Sequence, residues 1–117
     1  MKTILIVEDD QPMARLLQTL LSLEGYESMT AARPEVVMDT ARKAQPVLVV
    51  MDLHLGQTDT IELLETLKTD AKFKSVPIII VSGLDAEDRC MKAGADAFIL
   101  KPYSPNLLLQ KIKELVH

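Results

Sequence analysis

Short runs of consecutive apolar residues recur along the chain and predict buried strands. They are rich in β-branched residues and occupy positions 4–7, 47–51, 78–81 and 97–100. Continuous apolar runs of this length are typical of strands that are buried on both faces, as in a parallel sheet. The more polar segment Tyr26-Glu27-Ser28-Met29 predicts one further strand, at the edge of that sheet.

Between these runs, apolar residues recur with the spacing of amphipathic helices. The first stripe repeats every three or four positions and consists of Met13, Leu16, Leu17, Leu20 and Leu21. Pro12 suits the first turn of this helix, and Gly25 suits its end. Four more helices are predicted: one that opens at Pro34, one over Thr60–Lys68, one over Ala86–Ala93, and one that Ser104 caps.

The alternation of strand and helix, five times over, predicts one α/β domain over residues 1–117. Because crossovers between parallel strands are right-handed, helices must cover both faces of the sheet. We expect a five-stranded parallel sheet in the order 2-1-3-4-5, flanked by five helices in a flavodoxin-like three-layer sandwich. This order places the ends of the first and third strands side by side.

Composition and charge argue against several classes of protein. Hydrophobic residues make up 48% of the chain, which is too many for a disordered protein, and the formal net charge of -4 argues against nucleic-acid binding through a basic surface. Cys90 is the only cysteine, so the chain forms no internal disulfide. The apolar runs are too short to span a bilayer, and the N-terminal stretch lacks the cleavage region of a secretory signal. We therefore predict a cytoplasmic protein that contacts no membrane.

Polar and charged residues follow the predicted strands at the points where the strands end. They are Glu8-Asp9-Asp10, Asp52, Ser82 and Lys101-Pro102. Because the carboxyl ends of parallel strands line one crevice, we expect these side chains to meet around one pocket. Carboxylates gathered in a crevice repel one another unless a cation joins them, and Mg²⁺ takes carboxylate and phosphate oxygens as ligands. The pattern therefore predicts a site for Mg²⁺ and a phosphoryl group.

Asp52 is the candidate nucleophile of this site. A carboxylate can attack phosphorus to form an aspartyl phosphate, and the transfer then needs mainly positioning and neutralisation of charge. Mg²⁺ and Lys101 would supply positive charge, and Ser82 would donate a hydrogen bond to a phosphoryl oxygen. Each residue also has a structural alternative: the acidic run can cap the first helix, Ser82 can cap a turn, and Lys101 can be an ordinary exposed lysine. Because all of these residues follow strands of the same sheet, their combination favours a phosphoryl-transfer site over the structural alternatives.

These motifs resemble those of the receiver domain of two-component response regulators. The matching segments are residues 4–10, 49–55, 80–83 and 94–102, and the resemblance extends over the whole chain. The strand order 2-1-3-4-5 is also the order that this resemblance implies. The resemblance implies that Asp52 is a phosphoacceptor, charged by a sensor histidine kinase, a phosphotransfer protein or a small acyl phosphate. The domain would switch conformation to control a downstream partner, and it would catalyse only its own phosphorylation and dephosphorylation.

The resemblance also implies a role for each residue of the site. The implied direct ligands of Mg²⁺ are Asp9, Asp52 and the backbone carbonyl of His54, and Glu8 would act through a water. Asp10 is a weaker candidate ligand, because its position varies more in the family. The implied phosphoryl-binding and switching residues are the hydroxyl of Ser82, the ammonium of Lys101 and the aromatic ring of Phe98. In the family, that ring changes rotamer when the hydroxyl is drawn inward.

Several positions depart from the usual pattern of the family. Gly56 stands where a proline is usual, Thr60 where a glycine is usual, and Gly83 where an alanine is usual. Between Ser82 and Gly94 the chain is shorter than usual by about three residues, close to one helical turn. We therefore expect a shortened fourth helix or leading loop, an atypical partner surface, and a monomer or weak dimer.

Three other functions fit parts of the pattern. A Mg²⁺-dependent phosphohydrolase with an aspartyl nucleophile is the main alternative, although the chain has no insertion that would build a substrate pocket. A flavodoxin-like electron carrier needs a phosphate loop rich in Ser, Thr and Gly after the first strand, where this chain is anionic. A receiver-like domain that serves only for docking would not need the acids, Asp52, Ser82 and Lys101 together.

Overall fold

The computed structural model describes residues 2–116, along which strands and helices alternate. The strands are β1 (Thr3–Val7), β2 (Glu27–Ala31), β3 (Leu48–Asp52), β4 (His54–Leu55), β5 (Thr58–Asp59), β6 (Ile78–Ser82) and β7 (Ala97–Leu100). The helices are α1 (Gln11–Leu23), α2 (Pro34–Ala44), α3 (Ile61–Thr69), α4 (Glu87–Lys92) and α5 (Pro105–Leu115). The predicted alternation is therefore confirmed, with two short strands added after β3.

Five of the strands form one parallel sheet in the order β2-β1-β3-β6-β7. Without the short strands β4 and β5 this is the predicted order 2-1-3-4-5, which is confirmed. Val7 lies opposite Met51, and Asp52 lies opposite Val81, so the carboxyl ends of β1, β3 and β6 meet at one edge of the sheet. Strands β4 and β5 pair with each other as a small antiparallel hairpin directly after β3.

The sheet separates two apolar layers, because successive side chains of a strand point to opposite faces. Leu5 and Met51 pack with apolar residues of α2, α3 and α4 on one face. Ile6 and Val50 pack with apolar residues of α1 and α5 on the other. This arrangement is the predicted three-layer sandwich, and it holds the strand ends in fixed register.

Polar caps fix the starts of two helices that flank the site. The Oδ1 atom of Asp10 accepts a hydrogen bond from the backbone N–H of Met13 at 3.1 Å, so Asp10 caps α1. Ser104 caps α5 in the same way, with its Oγ accepting from the N–H of Leu107 at 3.2 Å. Side chains of this kind satisfy backbone donors that a helix leaves unpaired in its first turn.

One predicted core position of α1 is wrong. Leu17 and Leu21 are buried against the sheet, whereas Leu16 remains 49% exposed. Adjacent residues of a helix are rotated by about 100° from each other, so Leu16 points past the edge of the apolar layer that Leu17 enters. The stripe that the sequence predicts is thus wider than the face that the helix buries.

The helices differ in length, and α4 is the shortest of the five in the described part of the chain. It has six residues, in agreement with the predicted short fourth helix, and it buries Cys90 against the sheet. The longest, α1, has 13 residues. Among residues 2–116, no helix combines the length and the apolar character needed to cross a bilayer.

Candidate functional site

Three carboxylates converge where β1 and β3 end. Glu8 and Asp9 directly follow β1, and Asp52 is the last residue of β3. One carboxylate oxygen of each lies within 4.8 Å of those of the other two. Glu8 and Asp52 are buried, at 4% and 8% exposure, whereas Asp9 is exposed. The structure therefore brings these three predicted residues into one cluster that is open to solvent on the side of Asp9.

Lys101 brings a positive charge to this cluster from the residue that follows β7. Its Nζ lies 2.6 Å from Oδ2 of Asp52 and 3.8 Å from Oε1 of Glu8. Burial lowers the pKa of Lys101, but the hydrogen bond to Asp52 and the two negative charges outweigh this effect and raise the pKa above its ordinary value. Lys101 is therefore a stable cation. The peptide bond between Lys101 and Pro102 is cis.

Glu8 carries the most perturbed carboxyl group of the site. Burial is the main cause and raises its pKa from an ordinary 4.5 to about 7, and the negative charge of Asp52 acts in the same direction. The backbone N–H of Asp10, 3.2 Å from Oε2 of Glu8, and the charge of Lys101 oppose this rise. One ammonium group thus faces three carboxyl groups, and near neutral pH Glu8 is divided between its protonated and ionised forms.

We expect the stability of the metal-free protein to fall between about pH 4.5 and about pH 7. Folded Glu8 titrates near pH 7 and unfolded Glu8 near its ordinary value, so between the two the folded state binds more protons than the unfolded state. Stability is then lost as the pH rises through this window, by at most about 3 kcal/mol for a shift of this size. Chemical denaturation in the presence of EDTA measures this change.

The matched control for this measurement is Glu8→Gln, which keeps the shape of the side chain and removes its titration. The other charged or titratable groups around Glu8, which are Asp9, Asp52, Lys101 and Tyr103, remain in the variant. The difference between the two pH profiles therefore isolates Glu8. Parallel profiles for the wild type and the variant would contradict the assignment.

Two contacts orient the carboxylate of Asp52. Its Oδ1 accepts a hydrogen bond from the backbone N–H of His54 at 3.1 Å, and its Oδ2 accepts one from Lys101. His54 belongs to the hairpin strand β4, where it pairs with Asp59 of β5. The backbone of the predicted ligand His54 therefore lies beside the cluster, because the chain folds back into this hairpin immediately after β3.

Ser82 and Phe98 occupy the neighbouring strands β6 and β7. Ser82 is fully buried, its Oγ accepts a hydrogen bond from the N–H of Leu84 at 3.0 Å, and its carbonyl accepts one from the N–H of Lys101 at 2.7 Å. The ring of Phe98 is partly buried and packs against the apolar layer shared with α2, α3 and α4. Ser82 is thus tied by its backbone to Lys101, and Phe98 lies three residues before Lys101 on the edge strand.

Asp10 does not join the cluster that Glu8, Asp9 and Asp52 form. Its side chain caps α1, as described above, and its backbone N–H donates to Glu8. Capping of the first helix, the structural alternative for the acidic run, is therefore what Asp10 does. Glu8 and Asp9 instead form the cluster with Asp52. A carboxylate at the N-terminus of a helix also has a favourable interaction with the helix dipole.

The structure adds two contacts to the site that the sequence did not reveal. The Oδ2 atom of Asp9 accepts a hydrogen bond from the N–H of Gly56 at 2.7 Å, which joins the acidic run to the hairpin turn. The hydroxyl of Thr60, at 1% exposure, lies 2.9 Å from the carbonyl oxygen of Asp52 and 3.0 Å from that of Leu53. The only sequence signal was that Gly56 and Thr60 depart from the residues usual in the family.

This site lies on a fold that most of the chain shares with a known family. The sequence model of the response regulator receiver domain matches residues 4–113. The chain belongs to this family. The strand order described above and the acidic cluster at the strand ends therefore belong to a receiver domain.

Two relatives of this receiver domain differ in how much of their length it covers. It is 33% identical over 118 residues to the phosphate regulon transcriptional regulatory protein PhoB of Pseudomonas aeruginosa, with 98% of this chain and 52% of PhoB covered. It is 30% identical over 115 residues to the polar-differentiation response regulator DivK of Brucella anthropi, with 96% of this chain and 94% of DivK covered. The chain therefore spans about half the length of PhoB and nearly all of DivK.

Solved structures agree with the architecture. A CheY-like response regulator receiver domain protein from Methanospirillum hungatei is 33% identical, with a TM-score of 0.88 over 97% of this chain and 92% of that chain. The chemotaxis protein CheY4 of Vibrio cholerae has a TM-score of 0.89 at 22% identity, covering 99% of both chains. At that identity the second similarity supports the fold alone.

Proposed function

We propose that this receiver domain accepts a phosphoryl group on Asp52 in a reaction that depends on Mg²⁺. The observation that supports this proposal is the convergence of Asp52 with two further carboxylates and with Lys101, whose Nζ lies 2.6 Å from Oδ2 of Asp52. A nucleophilic carboxylate, a cation beside it and further anionic ligands are what phosphoryl transfer requires of a protein. We propose that the donor is a phosphohistidine of a sensor histidine kinase or phosphotransfer protein, or a small acyl phosphate.

The donor set of the site suits a hard divalent cation. Glu8, Asp9 and Asp52 offer carboxylate oxygens within 4.8 Å of one another, and Lys101 alone leaves their charge under-compensated. Mg²⁺ prefers oxygen ligands and commonly combines one or two carboxylates with waters and phosphate oxygens. We propose Asp9, Asp52 and the His54 carbonyl as direct ligands, with Glu8 acting through a water. When bound, Mg²⁺ would neutralise the charge of the phosphoryl oxygens.

Asp52, Lys101 and His54 would each have a separate role in the transfer. A carboxylate oxygen of Asp52 forms a bond to phosphorus while the bond from phosphorus to the donor breaks, and the donor atom keeps the electron pair. Lys101 already contacts one of the two oxygens that share the negative charge of the Asp52 carboxylate, so its ammonium can interact with the phosphoryl group that Asp52 receives. The N–H of His54 holds the other carboxylate oxygen in place.

The proposed switch lies at the ends of β6 and β7. In the structure the Oγ of Ser82 accepts from the N–H of Leu84, so its own proton is free to be donated to a phosphoryl oxygen once the loop moves. We propose that Phe98 changes rotamer with this movement and that the new arrangement controls a downstream effector protein in the cytoplasm. A ligand that binds one arrangement better than another shifts the population of the two.

The decisive experiment is the intact mass of the protein after incubation with acetyl phosphate. We expect one added phosphoryl group in the presence of Mg²⁺ and none when EDTA removes the ion, because Glu8, Asp9 and Asp52 then repel the incoming phosphate. A parallel assay with a small phosphate ester tests the phosphohydrolase alternative. Sustained release of phosphate from the ester, without a phosphoryl group retained on the protein, would favour that alternative over ours.

A further inference from the structure

Thr60 stands at the cap position of α3, yet its hydroxyl is directed towards the phosphoacceptor strand. A threonine at a helix N-cap ordinarily accepts a hydrogen bond from an N–H in the first turn of its own helix. Here Oδ1 of Asp59 accepts from the N–H of Ile61 at 2.8 Å, which provides that first turn with a carboxylate partner. The hydroxyl of Thr60 instead contacts the carbonyls of Asp52 and Leu53 at 2.9 and 3.0 Å.

The contacts of Thr60 fix the orientation of one particular peptide plane. The carbonyl oxygen of Leu53 and the N–H of His54 belong to the same planar peptide unit. The oxygen end is held by the backbone N–H of Thr60 at 2.8 Å and by its hydroxyl, and the N–H end donates to Oδ1 of Asp52 at 3.1 Å. Rotation of this plane would break the contacts at both of its ends together.

Burial makes these contacts persistent. Thr60 is 1% exposed and Leu53 is fully buried, so water does not replace the hydroxyl if it is removed. A hydroxyl carries one proton, which here is shared between the two carbonyl oxygens. Without the hydroxyl, the carbonyl of Leu53 keeps only the backbone N–H of Thr60 as a donor, so the peptide plane is held less firmly.

We propose that Thr60 is a positioning residue for phosphoryl transfer: its hydroxyl holds the Leu53–His54 peptide plane, and through that plane it aims the carboxylate of Asp52. This inference rests on the proposed function. The hydroxyl acts through the backbone and touches neither the donor nor the phosphoryl group.

Two variants separate the hydroxyl from the shape of the side chain. Thr60→Val keeps the branched shape and removes the hydroxyl, whereas Thr60→Ser keeps the hydroxyl and removes a methyl group. We expect Thr60→Val to accept a phosphoryl group from acetyl phosphate about tenfold more slowly, because small errors of orientation cost rates of this order or more. We expect Thr60→Ser to stay within about twofold of the wild type.

The matched control is Thr66→Val, on the same helix. The Oγ1 of Thr66 donates to the carbonyl of Glu62 at 2.9 Å on an exposed face of α3, so the same chemical change is made away from Asp52. We expect the wild-type rate for this variant. All rates are measured well below the melting temperature of each variant, so that loss of folded protein does not enter them.

A purely structural role would lower the melting temperature of Thr60→Val and leave the rate of the folded protein unchanged, and that result would overturn the proposal. A second measurement does not depend on phosphorylation: the NMR signals of the His54 amide and the Asp52 carboxylate should shift in Thr60→Val and not in Thr60→Ser. If the wild type takes up no phosphoryl group, the proposed function fails, and the NMR comparison still tests the positioning. Unshifted signals in Thr60→Val would reject it.

Discussion

The Asp52→Asn variant is expected to take up no phosphoryl group from acetyl phosphate, whereas the wild type takes up one. The amide of asparagine is a poor nucleophile towards phosphorus, and it removes one of the three anionic oxygens that converge in the cluster. The substitution keeps the size of the side chain, so the buried end of β3 stays filled. Intact mass measured at several times after mixing, with Mg²⁺ present, gives the result directly.

The matched control for this variant is Asp39→Asn. Asp39 lies on the exposed face of α2 and pairs with Arg42 at 2.9 Å, so it loses the same charge far from the cluster. We expect it to behave as the wild type. Asp52→Asn should also lower the pKa of Glu8, because the negative charge of Asp52 helps to raise it. A phosphoryl group on Asp52→Asn at the wild-type rate would place the acceptor elsewhere.

The Lys101→Met variant is expected to lose both reactivity and stability. Without the ammonium, the carboxyl groups of Glu8 and Asp52 face each other with no cation 2.6 to 3.8 Å away. We expect phosphorylation by acetyl phosphate to slow by about 100-fold, the scale for removing one preorganised electrostatic contact. Lys101 is 31% exposed, so the loss of stability above neutral pH should be limited to about 1–2 kcal/mol. Phosphorylation kinetics and chemical denaturation measure the two effects.

Lys113→Met offers a comparison in which a lysine is lost from an exposed ion pair. Lys113 of α5 lies 2.7 Å from Oε1 of Glu24 and is 61% exposed. Surface pairs of this kind contribute little to stability, so neither measurement should change appreciably. If Lys101→Met and Lys113→Met gave the same phosphorylation rate, the contact between Lys101 and Asp52 would have no part in the reaction.

The strands and the acidic cluster could be predicted because both depend on regular features. Apolar runs identify buried strands, and parallel pairing then carries the residue after each run to the same edge of the sheet. Asp9 and Asp52 meet for this reason, although 43 positions separate their numbers in the sequence. Leu16 shows the limit of the pattern, since periodicity indicates which residues are apolar and not how wide a face the sheet covers.

The contacts of the hairpin could not be predicted, because they depend on the path of a turn. The role of Thr60 follows from the fold-back of β4 and β5, and from the fact that Asp59 already bonds the first turn of α3. Either residue could have capped the helix on sequence grounds. Only the three-dimensional path of the turn decides which of them faces Asp52.

The small size of α4 has a consequence for how the molecule can respond. A helix of six residues has few internal hydrogen bonds and is not stable by itself, so its place depends on its neighbours. Those neighbours are the sheet beneath Cys90 and the carboxylate of Asp59, 2.8 Å from Nη2 of Arg89. Asp59 also pairs with His54, two residues after Asp52. Asp59 therefore connects the shortest helix of the described chain to the hairpin beside Asp52, so a shift of that hairpin would change the contacts on which the position of α4 depends.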